Sequence, residues 1–201
     1  MPKLTFFNLP EEKKQTLIQA AEKEFSRVPL FEASITNIIK EAGIPRGSFY
    51  QYFEDKDDAF FFLVNEFARK MNISFVDILR RNDGDIFDTM VEVFQLVIGE
   101  EENLNFLRNA FLNMTYKIEH AFGRIIDVNE ISENFRAISP LIKKSNLNIS
   151  NDKELFHVLQ IIKTITFRHL IETFAQELST EEAIENYMIE VRLLKHGLAR
   201  K

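Results

Sequence analysis

The sequence predicts an all-α protein of about nine helices, a small three-helix unit over residues 1–54 followed by a larger helical body over 55–201. Two observations carry this. The 201 residues hold only 6 Gly and 5 Pro, too little turn chemistry for a many-stranded β fold. Apolar residues also recur at intervals of three and four along nearly the whole chain, and no segment reads convincingly as a strand.

The elements follow in order. Leu17, Ile18, Ala21, Phe25 and Val28 give one face of a first helix over about 10–28. Pro10 suits its first turn, Glu11 and Glu12 sit at the positive end of its dipole, and Pro29 ends it. Ser34 is placed to cap a short helix whose inward face is Ile35, Ile38, Ile39 and Ala42, and Gly43 stops it as a left-handed residue. Pro45 opens another short helix carrying Ser48, Phe49, Tyr50 and Tyr52. Asp55 caps a long helix with Phe60, Leu63, Val64, Phe67 and Met71 on one face. After a break at Asn82, Asp83 and Gly84, helices are expected from Asp85 to about Ile98 and from about Asn103 to Met114. A less regular stretch follows from Tyr116 to Ile138, then a loop through Pro140 and Ser145–Asp152. A long helix runs from about Lys153 to Leu178. Ser179 with Glu182 forms a capping box before a last helix bearing Ile184, Tyr187, Met188, Val191, Leu194 and Leu198.

Composition removes several functions. Cys is 0, so disulfides, thiolate catalysis and Cys-based metal sites are excluded. No apolar stretch reaches the ~18 residues a membrane span needs. The opening MPKLTFFNLPEEKK lacks the apolar core of a secretory signal, which makes the cytoplasm the expected compartment. His120, His157, His169 and His196 form no metal pair with a carboxylate, and neither G-x-S-x-G nor a Gly-rich phosphate loop occurs. An enzyme is therefore not expected, nor a metal or cofactor. A net charge of −6 excludes a generally basic nucleic-acid binder but not a local patch.

The informative segment is SITNIIKEAGIPRGSFYQYFEDK, residues 34–56. A short helix, a glycine turn and a second short helix make the layout that presses the second helix into a DNA major groove. Ile35, Ile39, Ile44, Phe49 and Phe53 are placed to fix the angle between the two helices. Arg46, Ser48, Tyr50 and Gln51 face outward from the second helix as hydrogen-bonding groups. Arg reads guanine and Gln reads adenine in a bidentate way. Tyr50 and Lys56 suit phosphate, which gives affinity and register but no sequence information.

AGIPRGSFYQYFEDKDDAF resembles the signature of the TetR family of bacterial transcriptional repressors, through Ala42, Gly43, Ile44, Gly47, Ser48, Phe49, Tyr50, Tyr52, Phe53, Lys56 and Asp57. The preceding TLIQAAEKEF matches in kind, and the resemblance covers roughly residues 10–65. Two positions depart from the pattern: Pro45 stands where Ser is usual, and Tyr52 where His is frequent. The candidate DNA-binding set is Ser34, Thr36, Arg46, Gly47, Ser48, Tyr50, Gln51, Tyr52 and Lys56. Residues 1–60 hold eight Lys and Arg against ten acidic residues, a net charge of −2. Affinity for double-stranded DNA must then come from a few placed cations, helix N-termini and neutral donors.

The resemblance implies an effector site in the body and a homodimer built from the last two long helices. With 20 Phe and no Trp, the residues favour a small lipophilic effector. Phe94, Phe106, Phe111, Phe122 and Phe167 are its candidate lining, and His120, Arg124 and His169 the polar groups able to orient its head. The other reading of these rings is a filled core. Helix 153–178 is apolar over more than one face, which favours a homodimer that presents two reading helices to a palindromic operator. The expected function is thus a transcriptional repressor released from its operator by the effector. The alternative is a small-molecule-binding helical protein without operator binding.

Overall fold

The computed structural model describes residues 1–99, 101–113, 115, 117 and 133–198, and among them it contains ten α-helices and no strand. In chain order these are α1 (Leu4–Phe7), α2 (Glu11–Arg27), α3 (Ile35–Glu41), α4 (Arg46–Tyr52), α5 (Lys56–Arg81), α6 (Ile86–Gly99), α7 (Glu101–Leu112), α8 (Glu133–Ile138), α9 (Asp152–Ala175) and α10 (Thr180–Leu198). The chain packs as two compact units, Met1–Ala68 with Glu101–Phe122, and Arg69–Glu100 with Gly123–Lys201. No helix among the described residues is long and apolar enough to cross a membrane.

In the first unit α2 buries Leu17, Ala20, Ala21, Glu24 and Phe25. It packs on α3 and on α7. A file of rings joins Phe25, Phe60 and Phe106, with centroids 5.2 Å and 5.4 Å apart. Asn109 on α7 donates to the backbone oxygens of Phe25 at 2.9 Å and Ser26 at 3.0 Å, satisfying carbonyls left free at the end of α2. The start of α5 buries Phe60, Leu63, Val64 and Phe67, from the stripe its periodicity predicts, and Ala59 beside them.

In the second unit α6 is buried along Ile86, Phe87, Met90, Val93, Phe94, Val97 and Ile98. It packs on α9 and α10. Asp85 caps it, accepting from the N–H groups of Phe87 at 2.9 Å and Asp88 at 3.1 Å. Lys195 of α10 reaches Asp85 and Asp88, both at 2.9 Å. The capping box before α10 forms as expected, with Ser179 Oγ accepting from the Glu182 N–H at 3.2 Å and Glu182 accepting from the Ser179 N–H at 3.1 Å.

The structure departs from the sequence reading in four places. Helix α1 was not expected, since four residues carry no period. Helix α9 begins at Asp152, capped by Asn151, and ends at Ala175 rather than near Leu178. The polar stretch after α8 contains two single 3₁₀ turns, Ser139–Leu141 and Lys144–Asn146. Ser34 occupies the N-cap position of α3, but its hydroxyl makes no capping bond; its backbone N–H instead donates to the carboxylate of Glu24 on α2 at 2.8 Å. Most of 116–138, with Gly123, lies outside the described residues.

Candidate nucleic-acid interface

A helix-turn-helix needs two short helices locked at a fixed angle. The turn is set by Gly43 at φ +64°, where an L side chain is strained. The Ile44 N–H reaches the Ile39 carbonyl at 3.1 Å, so the left-handed residue closes the end of α3. The lock beneath is apolar: Ile38, Phe49 and Phe53 are buried, and the rings of Phe49 and Phe53 lie 5.4 Å apart. Ile35, Ile39 and Ile44 are only half-buried.

A polar lock sits beside it. Glu24 on α2 is 4% exposed. It accepts from Arg27 at 2.8 and 3.0 Å, from the Ser34 N–H at 2.8 Å, and from Asn37 at 3.1 and 3.2 Å. Burial pushes its carboxyl upward, but these donors outweigh burial and hold it below its ordinary value of 4.5. The sequence reading missed Glu24. Its signal was there: an acid on the same stripe as Leu17, Ala21 and Val28.

The outward face is built mostly from candidate residues. Arg46, Gly47, Tyr50 and Gln51 on α4 and Thr36 on α3 are exposed, while Ser34, Ser48 and Tyr52 are half-buried. A Cβ added at Gly47 meets nothing within 4 Å. Lys56 is more committed than expected: its ammonium donates to the backbone oxygens of Phe31 at 2.8 Å and Ala33 at 3.0 Å, tying α5 to the loop before α3. One N–H of the three remains for a phosphate.

The effector candidates distribute differently. Phe106 and Phe111 are buried in the first unit, and Phe94, Phe167 and His169 belong to the second. There Phe94 stacks on Tyr187 at 4.3 Å, and His169 meets Phe94 at 6.3 Å and Tyr187 at 5.3 Å. Tyr187 donates to Thr166 at 2.7 Å, since the Thr166 hydroxyl is itself spent on the Ile162 carbonyl, and burial raises the phenol's pKa. His120, Phe122 and Arg124 lie outside the described residues. An open groove of about 560 Å³ between α5 and α6, with Asp77, Arg81, Glu92 and Gln95 in its wall, includes none of the effector candidates.

Comparison with known proteins matches residues 17–61 to the model for bacterial regulatory proteins of the tetR family. Residues 85–198 match that for the tetracyclin repressor-like C-terminal domain. The HTH-type transcriptional regulator HbdR of Aromatoleum sp. (strain CIB) is 43% identical over 53 residues, 26% of this chain and 23% of that protein. YdgC of Bacillus subtilis (strain 168), an uncharacterized HTH-type transcriptional regulator, is 35% identical over 60 residues, 30% of this chain and 31% of its own. The chain thus spans under a third of the length of the curated relatives it matches. NalD of Pseudomonas aeruginosa, the secondary repressor of the MexAB-OprM multidrug efflux pump, shares the fold. It has a TM-score of 0.63 at 16% identity, over 95% of this chain and 98% of that one.

Proposed function

The chain belongs to the TetR family of transcriptional regulators, and from that premise we propose that it represses transcription by holding an operator through α4 until a lipophilic effector releases it. DNA-binding transcriptional regulation follows from the family. The observation that carries it is the outward row Arg46, Ser48, Tyr50 and Gln51 beside Gly47, whose open side lets a DNA backbone approach the helix closely. Ser34 and Thr36 add hydroxyls from the first helix, and Tyr52 and the last Lys56 proton serve phosphate. We place the functional boundary at 54/55.

Dimerisation accords with the family. In α9 and α10, Ile161, Ile171, Met188, Ile189 and Leu193 are exposed, and we assign this apolar surface to a second copy of the chain. The effector we place among the Phe-rich helices, where entry has to part stacked rings such as Phe94 and Tyr187. It acts on DNA only by as much as it prefers one state of the protein over the other.

Selection of duplexes from a random pool by the full chain, followed by footprinting, tests the reading. The expected product is a palindrome with half-sites one helical turn apart. In a gel shift Gln51→Ala then relaxes preference at one base position at a cost of roughly 1–3 kcal/mol. Failure to enrich any duplex overturns operator binding and leaves a small-molecule-binding helical protein.

A further inference from the structure

The last four carbonyls of a helix have no partner inside it. In α4 these belong to Phe49, Tyr50, Gln51 and Tyr52, and each is accounted for. Phe49 accepts from the Phe53 N–H at 2.9 Å. The other three are taken by the N-terminal segment. The Lys3 ammonium donates to the Tyr50 carbonyl at 2.8 Å, the Thr5 hydroxyl to that of Gln51, and the Lys3 N–H to that of Tyr52 at 2.8 Å.

The segment is anchored rather than draped. Phe6 is 1% exposed, its ring 5.1 Å from Phe53 and 5.0 Å from Phe62. It therefore shares a ring cluster with the C-cap residue of α4 and with α5. The ammonium of Lys3 also sits at the negative end of the α4 dipole. A helix of seven residues does not hold itself in water, so its last turn needs such outside partners. Tyr50 and Gln51 have their backbones in this latch and their side chains exposed on the reading face.

We infer that Lys3, Thr5 and Phe6 form a latch that fixes the last turn of α4, which makes Lys3 a positioning residue for DNA reading by Tyr50 and Gln51. This rests on the DNA-reading function proposed above. The latch adds no contact to DNA: it holds two contact residues in the direction they need.

The test uses the full chain with Lys3→Met and Lys3→Arg, measured by amide hydrogen exchange at residues 49–53 and by Kd for the selected duplex over a salt series. Lys3→Met is expected to speed exchange there severalfold and to raise Kd roughly fivefold, with the salt slope unchanged. Lys3→Arg, which keeps a charged donor, restores both. A salt slope lowered by about one in Lys3→Met marks a direct phosphate contact and overturns the positioning role. Unchanged Kd with unchanged exchange overturns the latch altogether, and unchanged Kd with faster exchange overturns its bearing on DNA. If the full chain selects no duplex, the functional reading fails by itself. The exchange measurement then judges the latch, with unchanged rates against it and faster rates for it.

Discussion

Burying a carboxylate costs several kcal/mol unless its oxygens are satisfied, and Glu24 turns that cost into a joint between α2 and α3. Its folded carboxyl lies below the ordinary 4.5, so the stability it lends is present above that value and is lost as pH falls through the folded pKa. Glu24→Gln should destabilise the first unit by about 2–4 kcal/mol at neutral pH and flatten the loss of stability below about pH 4.5, read by denaturant melts across pH. Gly47 poses the opposite case. Nothing in the protein requires glycine there, since its Cβ space is open and its backbone is helical. Gly47→Ala should therefore stabilise the fold by about 0.5–1 kcal/mol yet weaken operator binding. A variant that melts higher and binds equally well would remove close backbone approach from the proposal. Lys56→Ala is a poor probe of phosphate contact, because it also cuts two bonds to the loop before α3.

At the scale of elements, helix ends decide most of what the periodicity leaves open. Helix α5 ends with Asp83 at φ +50° and Gly84 at φ +77°, the Gly84 N–H on the Leu79 carbonyl at 2.9 Å. A Cβ on Gly84 would lie 2.5 Å from the Leu141 oxygen and 2.7 Å from the Lys143 nitrogen, and the Lys143 N–H bonds the Gly84 carbonyl at 3.0 Å. Backbone meets backbone, so nothing flexible can give way. Helix α9 ends in the same manner, but with Glu177 at φ +53°. The two sites predict opposite signs in thermal melts. Gly84→Ala should cost upward of about 2 kcal/mol, whereas Glu177→Gly should gain about 0.5–1 kcal/mol by relieving a left-handed L residue. This also explains why α9 stops short: helical periodicity runs on through Leu178, but the Leu178 N–H turns back to the Thr173 carbonyl at 3.1 Å.

At the scale of the molecule, two copies are needed to read a palindrome. Leu193 is 65% exposed on α10, and Ile189 precedes it by one turn on the same face. Leu193→Glu should shift sedimentation from a dimer toward a 23.6 kDa species and lower operator affinity together, while leaving the melt of the monomer nearly unchanged. Because few cations serve phosphate, the dimer should also show a shallow salt dependence for a repressor. A thermal-shift screen of lipophilic acids and cationic drugs should return a ligand that raises Tm and weakens the operator complex by about 1–3 kcal/mol. A ligand that raises Tm with operator affinity unchanged would break the coupling, and no hit in either class would favour a filled core.

Most of the helices and the helix-turn-helix motif were legible in the sequence alone, because both rest on local rules. Period places Leu17, Ile38 and Phe60 inward, and a glycine must supply the left-handed turn at Gly43. The family signature is likewise a run of neighbours, so Arg46 to Lys56 can be picked out without any contact map. What only the tertiary structure decided are pairings between residues far apart in the chain. Glu24 with Ser34 and Asn37, Lys56 with the Phe31 and Ala33 carbonyls, Gly84 with Leu141 and Lys143, and Lys3 with the end of α4 leave no period behind them. A sequence shows which groups need a partner. It does not show which distant backbone atom is left unsatisfied nearby, and that is fixed only once the helices have packed.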